Sequence, residues 1–80
     1  MEIRKFTLSI IVHNKYGVLT RVSGLFSKRG YNIDSLTVGV MPENESLSRI
    51  IMTSSGDDAT REQIIKQLEK LHDVENVTLI

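Results

Sequence analysis

The hydrophobic period of this chain changes at Gly17, and that change limits what the chain can fold into. Ahead of it, between Lys5 and Val12, the apolar residues Phe6, Leu8, Ile10 and Val12 alternate with Thr7, Ser9 and Ile11. A period of two marks a strand with one dry face and one half-wet face. The polar run His13-Asn14-Lys15-Tyr16 breaks it. After Gly17, Val18, Leu19, Val22, Leu25 and Phe26 recur at helical spacing, while Thr20, Arg21, Ser27 and Lys28 face away from that stripe. Lys28 and Arg29 suit the negative end of a helix, and Gly30 suits the left-handed residue that closes one. Gly24 falls inside the helix at a cost of about 1 kcal/mol against alanine, so close packing against a strand or a neighbouring helix is expected there.

The same two periods then recur. Leu36, Val38 and Val40 alternate with Thr37 and Gly39, predicting a second strand from Ser35 to Met41. Ile33 is out of phase with that set, so its lead-in is expected to bend or bulge. Met41-Pro42-Glu43-Asn44-Glu45-Ser46 reads as a turn. Leu47 to Ser54 is a third strand with apolar groups on both faces, which predicts a central place in a sheet. Ser55-Gly56-Asp57-Asp58 is a loop. Thr60 with Gln63 three residues on forms a capping box for a second helix, whose stripe is Ile64, Ile65, Leu68 and Leu71. Glu62 and Lys66 are placed for an exposed i,i+4 pair, Asp73 ends the helix, and Val74 to Ile80 is the final strand. Strand–helix–strand–strand–helix–strand with right-handed crossovers gives an α+β, ferredoxin-like βαββαβ fold: a four-stranded antiparallel sheet with both helices on one face. No linker or repeat interrupts it, so residues 1–80 read as a single domain.

Eighty residues bury only a little over ~60% of their unfolded surface, which leaves a thin margin of stability. With no cysteine and two distant histidines, His13 and His72, neither disulfides nor a metal are expected to supply the deficit. Association with another chain is the favoured remedy. Ten basic and ten acidic residues cancel, unlike the positive field of a nucleic-acid binder. The apolar runs are too short to span a bilayer, and the N-terminus lacks a signal-peptide layout. The chain reads as cytoplasmic, with neither nucleic-acid nor membrane partners.

The fold hosts unrelated activities, so function has to be argued from residues. There is no Cys-x-x-Cys after the first strand for copper. The third strand, Leu47-Ser48-Arg49-Ile50-Ile51-Met52-Thr53, has no aromatic side chain for stacking RNA bases. The first loop has Lys15 but no arginine for an acyl phosphate, and no nucleophile–base–orienter set is visible, so no catalysis is expected. What remains is Asn14 with Gly17 ahead of the first helix and Asn32 with Ile33 after it. N–H groups at a helix start can hold a carboxylate without a charged side chain. Structural roles fit these residues as well: Asn14 as a cap, Gly17 as a turn, Asn32 in a left-handed loop position. His13 and Arg49 read as solvent-facing side chains.

The run Gly17-Val18-Leu19-Thr20-Arg21-Val22-Ser23-Gly24-Leu25-Phe26-Ser27-Lys28-Arg29-Gly30-Tyr31-Asn32-Ile33-Asp34-Ser35-Leu36-Thr37-Val38 closely resembles the small regulatory subunit of acetohydroxyacid (acetolactate) synthase. Leu47-Ser48-Arg49, the Gln63-Ile64-x-Lys66-Gln67-Leu68-x-Lys70-Leu71 helix and the valine-rich strand after it match that family too. The resemblance implies an ACT domain, a small amino-acid-binding regulatory module. It implies a homodimer joined through the second strands. Valine, or another branched-chain amino acid, would bind at the seam. The chain itself would carry no cofactor; it would dock on a catalytic large subunit that holds thiamine diphosphate, and would activate and feedback-regulate it. By matching position, Asn14, Gly17 and Val18 of one chain and Asn32 and Ile33 of the other would hold the effector. His13 stands where the family often has an acidic residue, and Lys15-Tyr16 replaces a more acidic or smaller pair. An amino-acid-insensitive interaction module and a free-standing ACT protein are the alternatives to a sensing subunit. Many family members carry a second, C-terminal domain, and a naturally short subunit and a part of a longer one both fit this length.

Overall fold

The computed structural model describes residues 2–80. The alternating first segment is β1 (Arg4–His13), and the helical stripe is α1 (Val18–Arg29). They are followed by β2 (Ser35–Met41), β3 (Asn44–Gly56), α2 (Asp58–Glu69) and β4 (Val74–Leu79). The sheet order is β2-β3-β1-β4, and each neighbouring pair is antiparallel. This is the ferredoxin-like arrangement expected from the two periods, with β3 central as its two apolar faces predict. Ile10 lies opposite Ile50 and Leu8 opposite Met52 in the β1–β3 ladder. These four residues, with Val12, form the buried sheet floor on which Val18, Val22 and Phe26 of α1 and Ile64 and Leu68 of α2 rest.

Local chemistry fixes both ends of α1. Gly17 precedes it with φ 85° and Gly30 follows it with φ 73°, the left-handed region that L side chains disfavour. At the C-terminal end, the N–H of Gly30 donates to the Ser27 carbonyl at 3.2 Å and that of Tyr31 to the Phe26 carbonyl at 2.9 Å. This is the Schellman pattern, and its accompanying apolar contact is the edge-to-face pair of Phe26 and Tyr31, 5.7 Å between ring centroids.

Several local expectations are corrected. The hairpin turn contracts to Pro42 and Glu43, and β3 starts at Asn44, because ladder hydrogen bonds do not require apolar side chains. Asn44 Oδ1 accepts from both the N–H and the hydroxyl of Ser46 there. The cap of α2 is Asp57, not Thr60: its carboxylate accepts from the Thr60 N–H at 2.8 Å. Gln63 is therefore free of the capping box, and its Oε1 accepts from the Tyr31 hydroxyl at 3.3 Å. Among the described residues Glu62 pairs with Arg61 rather than Lys66, and Arg61 also reaches Asp58. The helix α2 ends at Glu69, ahead of Leu71 and Asp73. Leu19 of the expected stripe is 42% exposed, at the wall of an open cleft. Gly24 is exposed, with no atom within 4 Å of where its Cβ would be, so no packing within this chain explains it. The out-of-phase Ile33 lies just before a bend at Asp34, whose N–H donates to the Thr53 carbonyl at 2.8 Å.

Candidate functional site

The loop between β1 and α1 is tied to the start of β3 before it reaches the helix. The Asn14 N–H donates to the Ser46 carbonyl at 2.7 Å, and Asn14 Nδ2 donates to the Glu45 carbonyl at 3.3 Å. The chain then turns through left-handed Gly17. Asn14 does not cap α1, nor does any other side chain among the described residues. Val18 N–H reaches the Lys15 carbonyl at 3.3 Å and Arg21 N–H the Gly17 carbonyl at 3.0 Å. Among the described residues this leaves the N–H groups of Leu19 and Thr20 without a carbonyl. No acidic residue occupies the first turn, so nothing within it opposes an anion.

A cleft of about 70 Å³ opens beside this helix start. Asn14 and Lys15 edge it, Val18 and Leu19 of α1 wall one side, and Val38, Ser48 and Ile50 lie along the sheet. Val38 is 47% exposed and Val40 beyond it 52%, which leaves the β2 side of the cleft bare.

A charged cluster supports the loop from behind. Asp73, expected to stop a helix, is instead buried in the turn before β4, where it takes the Arg21 guanidinium; Lys15 Nζ lies 3.7 Å away. Its main-chain carbonyl accepts from the His13 N–H at 2.8 Å. Burial acts to raise the Asp73 carboxyl. The Arg21 hydrogen bond, with the Arg21, Lys15 and His72 charges, outweighs it and holds the group below the ordinary 3.8. Arg21 faces away from the apolar stripe as expected and remains exposed, while its guanidinium reaches Asp73. His13 is half-buried rather than fully turned to solvent, with Nε2 3.4 Å from Glu75 Oε1. Arg21 and Asp73 lie 52 residues apart in sequence, and no periodic pattern links them. The one available signal was a lone carboxylate just ahead of an apolar strand.

Asn32 and Ile33 lie at the other end of α1, whose twelve residues place them about 18 Å along the helix axis. Asn32 Nδ2 donates to Asp34, the Asn32 carbonyl accepts from the buried Ser54 hydroxyl, and Ile33 is half-buried against the core. Within one chain, therefore, Asn14, Gly17 and Val18 come together, and Asn32 and Ile33 do not join them. Both carboxamides share one property: each commits its Nδ2 inside the chain, which leaves an Oδ1 to accept. Arg49 is exposed, on the sheet face away from the helices. Among the described residues no helix is long and apolar enough to cross a membrane.

Residues 8–76 match the family described as the AHAS small subunit-like ACT domain. The chain is 55% identical over 67 residues to a probable acetolactate synthase small subunit of Archaeoglobus fulgidus, covering 84% of this chain and 42% of that protein. It is 51% identical over 71 residues to the acetolactate synthase isozyme 3 small subunit of Escherichia coli, covering 89% of this chain and 43% of that one. A crystal structure of the acetolactate synthase small subunit from Thermotoga maritima superposes with a TM-score of 0.88 at 49% identity, over 95% of this chain and 47% of that one. The chain thus spans less than half the length of each of these relatives.

Proposed function

The chain belongs to the AHAS small subunit-like ACT domain family, and from that premise we propose that it is the amino-acid-sensing ACT domain of a regulatory, non-catalytic acetolactate synthase subunit. It acts in the cytoplasm on a separate, thiamine-diphosphate-dependent catalytic subunit. Two copies pair through β2, and a branched-chain amino acid, valine first, binds where they meet. The observation that carries this reading is the half-built cleft. One chain has unpaired N–H donors at α1, an acceptor on Asn14, apolar Val18, Leu19 and Val38, and a small cleft of about 70 Å³ that stays open toward β2. Those groups complement a zwitterion with an aliphatic side chain, and the missing wall lies on the exposed β2 side.

In this reading the ligand carboxylate sits on the N–H groups of the first turn of α1, where the helix dipole favours negative charge. Gly17 brings the backbone close enough because it has no side chain. Asn14 Oδ1 accepts from the ammonium. Asn32 Oδ1 of the mate accepts from it too, and Ile33 of the mate covers the aliphatic group. A ligand held by two copies at once must tighten their association, because linkage is reciprocal.

Calorimetric titration with valine, leucine and isoleucine, run beside sedimentation, tests the proposal. Heat with at least one of the three, together with a dimer that persists to lower protein concentration, is the expected result. No heat and no change in association with any of them would overturn it. Lys15 at the cleft edge, turned to Asp73, and its neighbour Tyr16, fully exposed, favour one second reading, a module that activates without sensing. Capture of the catalytic subunit with activation indifferent to valine would be its signature.

A further inference from the structure

One hydroxyl in the cleft, that of Ser48, makes no hydrogen bond among the described residues. Ser48 is only 5% exposed, yet it lines the cleft floor under the first turn of α1. Its cross-strand neighbours, Val12 on β1 and Val40 on β2, offer it no hydrogen bond. Among the described residues the other buried polar side chains are served: Ser54 donates to the Asn32 carbonyl, and Asp73 takes Arg21. Among the described residues no fully buried side-chain nitrogen or oxygen lacks a hydrogen bond, so the Ser48 hydroxyl stays open to the cleft, and a ligand that displaced solvent there without bonding it would leave it unsatisfied. The Ser48 hydroxyl keeps its contact with the cleft, so whatever fills the cleft must meet it.

We propose that Ser48 is a positioning and specificity residue of this cleft, its Oγ accepting a hydrogen bond from the α-ammonium of the bound amino acid. This rests on the amino-acid reading above. The ammonium is the partner for two reasons. The carboxylate already has the unpaired N–H groups of Leu19 and Thr20. The loop hydrogen bonds to Glu45 and Ser46 bring the Asn14 carboxamide to the β3 segment that leads into Ser48. Asn14 Oδ1 and Ser48 Oγ then form two acceptors at the polar end of the cleft, while Val18, Leu19 and Val38 leave its apolar part to the side chain. The ligand class follows: an α-amino acid rather than a carboxylic acid of the same carbon skeleton, which would leave Ser48 unpaired.

The test uses the full chain, with Ser48→Ala, Ser48→Thr, and two probes, L-valine and 3-methylbutanoate, the same skeleton without the nitrogen. Unfolding and sedimentation of the free variants should match the parent, since the hydroxyl makes no hydrogen bond among the described residues. Ser48→Ala should weaken valine about ten-fold, the scale of a hydrogen bond to a charged group. Ser48→Thr, which keeps a hydroxyl, should recover most of that loss. 3-Methylbutanoate should bind the parent no better than it binds Ser48→Ala. Unchanged valine affinity in Ser48→Ala, or an equal loss for both probes, overturns the assignment while leaving the sensing reading in place. Failure of the parent to bind valine, leucine or isoleucine overturns the sensing reading itself and this assignment with it.

Discussion

At the scale of single residues, Asp73 joins three parts of the chain. Its carboxylate holds Arg21 of α1 and faces Lys15 of the loop, and its carbonyl holds the end of β1. The carboxyl is held below 3.8 in the folded state, so the unfolded chain binds the proton more readily. The stabilisation is therefore complete above the unfolded pKa and is lost as pH falls through the folded one. Urea unfolding of the parent should show stability falling as pH drops below about 4, and Asp73→Asn should remove part of that fall while lowering stability at neutral pH. An acid profile identical in the two proteins would show that the cluster contributes nothing. This pairing was not legible in the sequence. Residue patterns report position along an element, whereas Asp73 and Arg21 meet only because the second crossover brings the end of α2 back beside α1.

At the scale of elements, most boundaries followed from period and turn chemistry. The change of period at Gly17 and the left-handed Gly30 mark α1 within a residue at each end. The out-of-phase Ile33 correctly announced a bend before β2. Errors arose where two side chains could do the same work. Asp57 and Thr60 are both good caps, and the backbone selects Asp57 because its carboxylate reaches the Thr60 N–H. Asn14 was legible as a candidate site residue but not as a loop anchor, since its bond to Glu45 depends on the β1–β3 register. Gly24 departs most from expectation, being a mid-helix glycine facing open space. Gly24→Ala should therefore raise the unfolding free energy of the isolated chain by about 1 kcal/mol, measured by denaturant titration. A loss instead would mean that another molecule lies against that face of α1.

At the scale of the whole molecule, the sheet has a bare edge on its β2 side. Val38 and Val40 of this edge strand leave about half their surface in water, and among the described residues no strand pairs with its outer side. Long apolar edges invite strand pairing, and natural proteins usually blunt them with charge. Val40→Lys would introduce that charge twice across a two-fold axis. It should weaken self-association by at least about ten-fold in sedimentation, through lost apolar contact and like-charge opposition, and should weaken valine binding in parallel. Association unchanged by the lysine would place the contact elsewhere on the molecule. The open face of the sheet, with Arg49 among its side chains, is a separate surface and should be indifferent to this change.

The volume of the cleft, about 70 Å³ on one chain, has a consequence for how a cell would be served. On the proposed pairing, half a receptor cannot report on its metabolite, and occupancy depends on how much of the polypeptide is present as well as on the effector. The midpoint of a dose–response curve would drift downward as expression rises and upward as the protein is diluted. The set point of feedback would then be written partly in gene dosage, so assays run at different dilutions would report different sensitivities for the same molecule.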